Sequence, residues 1–302
     1  MLLNQFITES VNSLGGLYPD AEAKSIVQIL YTSVLGVKNY THIIEPGYKI
    51  TSAKELVLKE SMARLLKGEP VQYVLGYSDF CGFRFKLSPA VLIPRPETEL
   101  LAMEVVKAGD RIQRMRSAYG EKAEPLKVLD LCTGSGCIAW TIALSLPGAE
   151  VVAVDISEEA ISIAKSQDFA SLLKEKGHNC LPPAFIKADV LDTDNDQFRG
   201  NFDIIVSNPP YVMEGQKVQM RKNVLDYEPE IALFVPDSDP LLFYKAISYW
   251  CEKHLHPDGR AFVEINDLLG EKTSDLFRGK GFKDVEVIKD LSERDRIVSF
   301  SK

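Results

Sequence analysis

From Lys127 onward the chain repeats one pattern, a short apolar run rich in Val and Ile followed by a stretch with helical spacing. The runs fall at residues 128–131, 151–154, 184–186, 202–206, 261–265, 285–288 and 297–300. Such alternation calls for a mostly parallel sheet with helices packed on both faces, because a crossover helix is what returns the chain to start a parallel neighbour. The predicted fold for this part is therefore α/β, a seven-stranded Rossmann-like sheet.

The residues before it are of another kind. Ala23, Ile26, Val27, Leu30, Tyr31, Val34 and Leu35 follow the i, i+3, i+4, i+7 spacing of an amphipathic helix, behind Pro19 and an expected Asp20 N-cap. Ser52 with Glu55 reads as a capping box opening a second helix through Leu56, Val57, Ala63 and Leu66, which Gly68 and Pro70 stop. No strand pattern precedes residue 70. Residues 1–75 carry seven basic and seven acidic side chains, so the net charge of −8 comes from the rest of the 302 residues. A neutral helical bundle thus precedes an acidic body. Gly76, Gly82, Pro89, Pro94 and Pro96 among aromatic and β-branched residues suit a hairpin linker between them. The expected partition is a helical domain over 1–72, a hairpin linker over 73–96 and an α/β domain over 97–302. Residues 107–127, with Arg111, Arg114 and Arg116, read as a solvated helix end and loop.

Composition narrows the function. With 45% hydrophobic and 26% charged residues the chain has the makings of a sizeable core, and its negative charge argues against sequence-independent attraction to a phosphate backbone. Direct nucleic-acid binding is not expected. No apolar run approaches the ~20 residues that span a bilayer, and residues 1–10 lack the basic start and apolar block of a secretory signal, so the cytoplasm is the expected location. The five cysteines, Cys81, Cys132, Cys137, Cys180 and Cys251, include no Cys-x-x-Cys pair and read as reduced, mostly buried thiols. His254 and His256 have no carboxylate at ligand spacing and fit a helix C-terminus, so no metal is expected.

Residues Val128-Leu129-Asp130-Leu131-Cys132-Thr133-Gly134-Ser135-Gly136-Cys137-Ile138-Ala139 form a strand, a glycine turn and a helix start. Gly134 and Gly136 permit positive φ and a close ligand approach, and free N–H groups at the helix start face that ligand. Gly134-x-Gly136-x-x-Ala139 also satisfies the dinucleotide fingerprint, with Asp155 at the end of the next strand as the ribose-binding carboxylate. The pattern specifies a nucleoside cofactor without saying which. Asp130, just before the loop, favours S-adenosylmethionine: a carboxylate there suits the amino group of a methionine moiety and is ill placed beside a pyrophosphate. For Asp130 or Asp155 singly, capping a turn or helix explains the residue equally well; on adjacent strand ends the pair fits a ligand. Asp189, after the third strand, falls near the adenine by the same logic, although it opens an acidic loop with Asp192, Asp194 and Asp196.

The most specific signal follows the fourth strand, at Asn208-Pro209-Pro210-Tyr211. A nitrogen conjugated to a π-system is a poor nucleophile because its lone pair is delocalised, so a catalyst must hold its N–H groups with acceptors. The Asn208 side-chain oxygen and the Pro209 carbonyl can take the two hydrogens of one NH₂ group, the prolines bring no competing donors, and Tyr211 offers a flat wall. A rigid turn alone accounts for the prolines but not for all four residues beside a cofactor loop.

These residues resemble the HemK/PrmC family of glutamine methyltransferases that modify class-1 peptide chain release factors. The resemblance spans nearly the whole chain and includes Gly68-Glu69-Pro70-x-x-Tyr73-x-x-Gly76, Leu92-Ile93-Pro94-Arg95-Pro96-Glu97-Thr98-Glu99 and Tyr227-Glu228-Pro229. It implies a helical N-terminal domain that recognises substrate, a hairpin linker and a seven-stranded S-adenosylmethionine-dependent methyltransferase domain. It also implies cofactor contacts at Thr133, Gly134, Ser135, Gly136, Asp155, Val190 and Asn208, with Cys132, Ile156 and Asp189 beside them, and Asn208 to Tyr211 holding the substrate glutamine of a Gly-Gly-Gln loop. Cys132 stands where many members have glycine, and a negative φ is expected there; Val190 stands where some have an aromatic residue. The rival readings are an adenine-N6 DNA or RNA methyltransferase, which uses a similar loop on a flipped base, a glutamine methyltransferase acting on a ribosomal protein, and a silent cofactor-binding module. Charge opposes the first, and an intact Asn208 and Tyr211 oppose the last.

Overall fold

The computed structural model describes residues 1–118, 124–177, 180–194 and 200–302. They form two compact units, one of Met1–Tyr77 with Met220–Glu228, the other of Ser78–Gln219 with Pro229–Lys302.

The first unit packs the helices Leu3–Leu14, Asp20–Leu35, Thr41–Ile44, Ser52–Leu65 and Val71–Leu75. Their apolar faces meet in a core of Leu3, Phe6, Leu14, Val27, Leu30, Tyr31, Leu58 and Leu65. Two sequence expectations change. Asp20 is the first helical residue, behind Pro19, and the helix starting at Ser52 has no side-chain cap. Glu55 instead accepts from the Met1 ammonium group and from Lys59, both at 2.7 Å, and these charged donors hold its pKa down at about 2. A cationic donor outcompetes the backbone N–H that a capping box offers. The Gly68-Glu69-Pro70 motif has a local explanation: Arg64 forks onto Glu69 at 2.8 and 2.5 Å and donates to the carbonyls of Tyr73 and Val74, while Gly68 and Gly76 take positive φ.

The second unit begins at the second residue of a hairpin, β1 (Tyr77–Phe80) and β2 (Phe83–Lys86), whose strands are paired with each other. The strands that follow in chain order are β3 (Lys127–Leu131), β4 (Glu150–Asp155), β5 (Ala184–Lys187), β6 (Phe202–Ser207), β7 (Val212–Met213), β8 (Phe234–Val235), β9 (Leu255–Glu264), β10 (Lys283–Lys289) and β11 (Asp295–Ser301). Seven of them form the central sheet, in the order β10-β11-β9-β6-β3-β4-β5. All pairings from β9 to β5 are parallel, and β11 is antiparallel to both of its neighbours.

Side chains alternate across this sheet. Val128 points into one core with Leu101, Val105 and Ile138, whereas Leu129 and Leu131 point into a second core with Ile247, Trp250 and Phe277. This is the period of two expected of a sheet buried on both faces.

The partition differs from the expected one. Residues 71–75 are helical and belong to the first unit, the hairpin's Phe80 and Phe85 are built into the core of the second, and residues 220–228 join the first. Arg221 pairs with Glu22, and the Tyr227 hydroxyl donates to the Lys67 carbonyl at 3.0 Å. Polar links between distant segments leave no apolar periodicity, so the sequence pattern does not register them. The basic stretch is also more than a solvated surface. The helix Pro96–Ala118 ends with Arg116 forked onto Asp203 at 2.5 and 3.2 Å, and Asp203 further accepts from the Lys127 N–H at 2.9 Å. Residues 119–123 of that stretch, and Asp196 of the acidic loop, lie outside the described residues. Among the described residues no helix is long and apolar enough to cross a membrane.

Candidate active site

The site forms at the C-terminal ends of β4, β3 and β6, where open α/β sheets bind ligands. The Ser207 hydroxyl donates to the Leu131 carbonyl at 2.9 Å, and the Thr133 N–H donates to the Val154 carbonyl at 2.9 Å, so all three strand ends are tied together. After β3 the chain turns sharply. Cys132 sits at φ 63°, against the negative φ expected, so this turn takes the left-handed conformation usual for glycine. Its side chain packs against the second core, which offsets that backbone strain.

The two glycines answer different demands. Gly134, at φ 55°, has nothing within 4 Å of where a Cβ would stand and is required by backbone conformation. Gly136, at φ 79°, is also required by packing, since a Cβ would lie 3.0 Å from Ala164 and 3.1 Å from Phe185.

Asp155, at the end of β4, accepts from the Gly134 N–H at 2.8 Å through one oxygen and from the Ser157 N–H at 3.0 Å through the other. It thereby fixes both the glycine turn and the start of the helix Glu158–Lys165, whose N-cap is Ser157 itself. Burial pushes its pKa up against the pull of those N–H groups. Asp130 behaves differently from a direct ligand. It is fully buried, one oxygen accepts from the Thr133 hydroxyl at 2.6 Å, and the other, Oδ1, is buried without a hydrogen bond. Burial raises its pKa to about 7. Being an inward-facing residue of a central strand, it supports the loop from beneath through Thr133.

A cavity of about 220 Å³ opens over these strand ends. Of the predicted residues, Cys132, Thr133, Gly134, Ser135, Asp155, Ile156, Asp189, Val190, Asn208 and Pro210 line it, while Asp130, Gly136, Pro209 and Tyr211 do not. Asp189 folds one carboxylate oxygen onto the Leu191 N–H at 2.8 Å, and Val190 is held by its carbonyl accepting from Trp250 Nε1 at 2.8 Å. Leu92, Pro94, Thr98, Ile231 and Phe243 complete walls the sequence did not assign to the site.

The lining fits S-adenosylmethionine. Two carboxylates face the cavity, with no Lys, Arg or His among the lining residues. A cationic sulfonium and amino group match that field, whereas a pyrophosphate would find no countercharge. Gly134 and its neighbours would hold the methionine part, Asp155 the ribose, and Ile156, Val190 and Leu191 the adenine. Among the described residues no group of three or more His, Cys, Asp or Glu is placed to hold a metal ion.

Beyond β6, Asn208 is half-buried and Pro209 and Pro210 are buried. Asn208 Nδ2 donates to the Thr98 hydroxyl at 3.1 Å, across 110 residues of sequence. Tyr211 lies outside the cavity lining; its hydroxyl donates to Glu264 at 3.0 Å, and its backbone carbonyl accepts from Asn266 Nδ2 at 3.1 Å. The end of β9, adjacent to β6, thus clamps this loop. Glu264 was legible only as one charged residue in the apolar run 261–265, and a charged residue in a buried strand usually signals a specific partner. Thr98 lies in the Pro94-Arg95-Pro96-Glu97-Thr98-Glu99 motif, where no chemistry distinguished it from its neighbours.

Residues 7–76 match the model of the PrmC N-terminal domain, and residues 117–226 that of the methyltransferase small domain. A release factor glutamine methyltransferase of Bacteroides thetaiotaomicron is 38% identical over 300 residues, covering 99% of this chain and 100% of that one. One from Flavobacterium psychrophilum is 35% identical over 298 residues, covering 99% and 98%. A solved protein-(glutamine-N5) methyltransferase from Alicyclobacillus acidocaldarius is 27% identical, covers 72% of this chain and 98% of that one, and superposes with a TM-score of 0.39.

Proposed function

The chain belongs to the release factor glutamine methyltransferase family, and on that premise we propose that it methylates the side-chain amide nitrogen of the glutamine in the Gly-Gly-Gln loop of a class-1 peptide chain release factor. The observation that carries this reading is the convergence of Asn208 and Pro210 on the same cavity as Gly134 and Asp155, which sets an amide-holding loop beside a cofactor loop. S-adenosylmethionine is the methyl donor and supplies, when bound, an electrophilic methyl carbon on a sulfonium.

The chain's own residues do the rest. Asn208 Oδ1 accepts one hydrogen of the substrate NH₂ and the carbonyl of Pro209, which adjoins the cavity between the lining residues Asn208 and Pro210, accepts the other, which holds the nitrogen in line and favours the pyramidal geometry that frees its lone pair. As positive charge develops on nitrogen, the same two oxygens stabilise it without reorganising. Pro210, Ile231 and Phe243 keep water from the nitrogen. The surplus proton then leaves to solvent, so no strong general base is needed. The first unit, with its own core and none of the cavity residues, serves substrate recognition, and its exposed Tyr40, Ile43 and Ile44 offer apolar contact.

The test is to incubate the protein with methyl-labelled cofactor and cell lysate and then digest with protease or nuclease. Label released by protease and mapped to a Gly-Gly-Gln peptide is the expected result. Label in nucleic acid would favour adenine-N6 transfer, and label on a ribosomal protein would move the substrate assignment.

A further inference from the structure

Asn208 can serve as an acceptor for the substrate only if its amide is turned the right way round, and nothing in Asn208 itself sets that. Rotating the amide by half a turn would present Nδ2 to the cavity, a donor facing the substrate's own donors. The side chains around it decide the matter. Asn208 Nδ2 meets the Thr98 hydroxyl at 3.1 Å. Thr98 is buried, and Glu264, itself almost wholly buried, stands beside Asn208 on the neighbouring strand, where Ser207 is in register with Val263. Glu264 Oε1 already accepts from the Tyr211 hydroxyl at 3.0 Å, and Oε2 is buried with no hydrogen-bond partner.

A hydroxyl has one proton to give. Between an amide and a buried carboxyl oxygen that lacks a donor, the carboxyl in its ionised form is the stronger acceptor and the more costly one to leave unmet.

We propose that Glu264 is a positioning residue that takes the single proton of Thr98, leaving the Thr98 oxygen able only to accept from Asn208 Nδ2, so that Asn208 Oδ1 is fixed toward the cavity as the acceptor for the substrate amide. The same carboxyl holds the Tyr211 hydroxyl, so one buried group at the end of β9 sets both ends of the Asn208-Pro209-Pro210-Tyr211 loop. Asn266, two residues on, completes the clamp through the Tyr211 carbonyl and the Gln216 side chain, at 3.1 and 3.0 Å. This role rests on the reading that the substrate presents an NH₂ group there, but the amide orientation can be measured without substrate.

The experiment compares Thr98→Val, which keeps the shape and removes the hydroxyl, with Thr98→Ser, which keeps the hydroxyl. With a Gly-Gly-Gln protein as substrate, Thr98→Val is expected to lower kcat by roughly tenfold or more, the scale of one lost hydrogen bond in a preorganised site, while KM and calorimetric cofactor affinity stay within about threefold. Thr98→Ser is expected to restore kcat to within about threefold of the wild type. In ¹⁵N spectra the Asn208 side-chain NH₂ should exchange slowly in the wild type and in Thr98→Ser, and rapidly in Thr98→Val. Glu264→Gln, which preserves shape but places a donor in the carboxyl, should lower kcat as Thr98→Val does. The relay is overturned if Thr98→Val turns over at the wild-type rate, if serine fails to rescue a well-folded protein, or if the Asn208 amide exchanges equally in all three. A wild-type enzyme that does not methylate glutamine would instead overturn the substrate reading, and the exchange measurement would still decide the relay.

Discussion

The two ends of the cavity are built on opposite principles. At the glycine turn the ligand-facing surface is mostly backbone, shaped by left-handed residues and pinned by Asp155, whose two oxygens hold the Gly134 and Ser157 N–H groups. At the Asn208 end it is side chain, and the orientation of each polar group is set by another group behind it: Thr98 behind Asn208, Glu264 behind Tyr211. A backbone site tolerates change in most neighbouring side chains, because the chain path defines it. A side-chain relay fails when one member is lost, since each buried partner is left unsatisfied. Binding of the cofactor should therefore be separable from turnover by mutation.

The strongest attempt to break that separation is Asn208→Ala. It is expected to slow single-turnover methylation by ~10² to 10³ at saturating cofactor, the usual cost of removing one preorganised polar group. Calorimetry should find only a modest loss of cofactor affinity. A parallel collapse of both would mean that the two ends work as one site.

Next in size is a pH effect to which the Asn208 end contributes through Glu264. Burial raises the Glu264 pKa from 4.5 to about 7. A carboxyl whose pKa is raised by folding contributes stability fully below its unfolded pKa and loses that contribution as pH rises through the folded value. Wild-type stability should thus decline between about pH 4.5 and pH 7 by up to ~3 kcal/mol from this group. Glu264→Gln should flatten the decline in thermal melts at pH 5 and pH 8. Asp130, raised to about 7 by its own burial, would leave part of the slope in place. A slope unchanged by Glu264→Gln would show that the carboxyl is not buried as described.

Asp155→Ala sharpens the other end. Losing charge-assisted hydrogen bonds to the ribose should weaken cofactor binding by roughly 1.5 to 3 kcal/mol. An unchanged dissociation constant would reduce Asp155 to its structural role in tying the glycine turn. The smallest expected effect is that of Tyr211→Phe, which strips Glu264 Oε1 of its donor and should lower stability by about 1 to 2 kcal/mol, with turnover less affected than in Tyr211→Ala. Equal damage from the two substitutions would assign the hydroxyl a direct part in proton transfer.

How much of this was legible depended on distance along the chain. The seven strands were readable because a buried strand writes itself as a local apolar run. Gly134 and Asp155 were readable because a turn and the next strand end lie 21 residues apart in a recurrent unit. The relay was not readable, because Thr98 and Asn208 are 110 residues apart and Tyr211 and Glu264 are 53 apart, with nothing periodic joining them. Cys132 misled for another reason: its residue type argues against positive φ, yet tertiary packing holds φ at 63°. The anchoring of the Tyr211 hydroxyl was hidden similarly, since its partner is a buried carboxyl that no local pattern reveals.

The central claim, that the Asn208 end grips a glutamine amide, is tested most directly with a purified release factor and its variant in which the Gly-Gly-Gln glutamine is replaced by glutamate. Both are incubated with the enzyme and S-adenosylmethionine, and the loop peptide is fragmented in a mass spectrometer. One methyl group on the side-chain nitrogen of that glutamine, and none on the glutamate variant, is the result predicted. Equal methylation of the glutamate variant, or no methyl group on the glutamine at all, would contradict it.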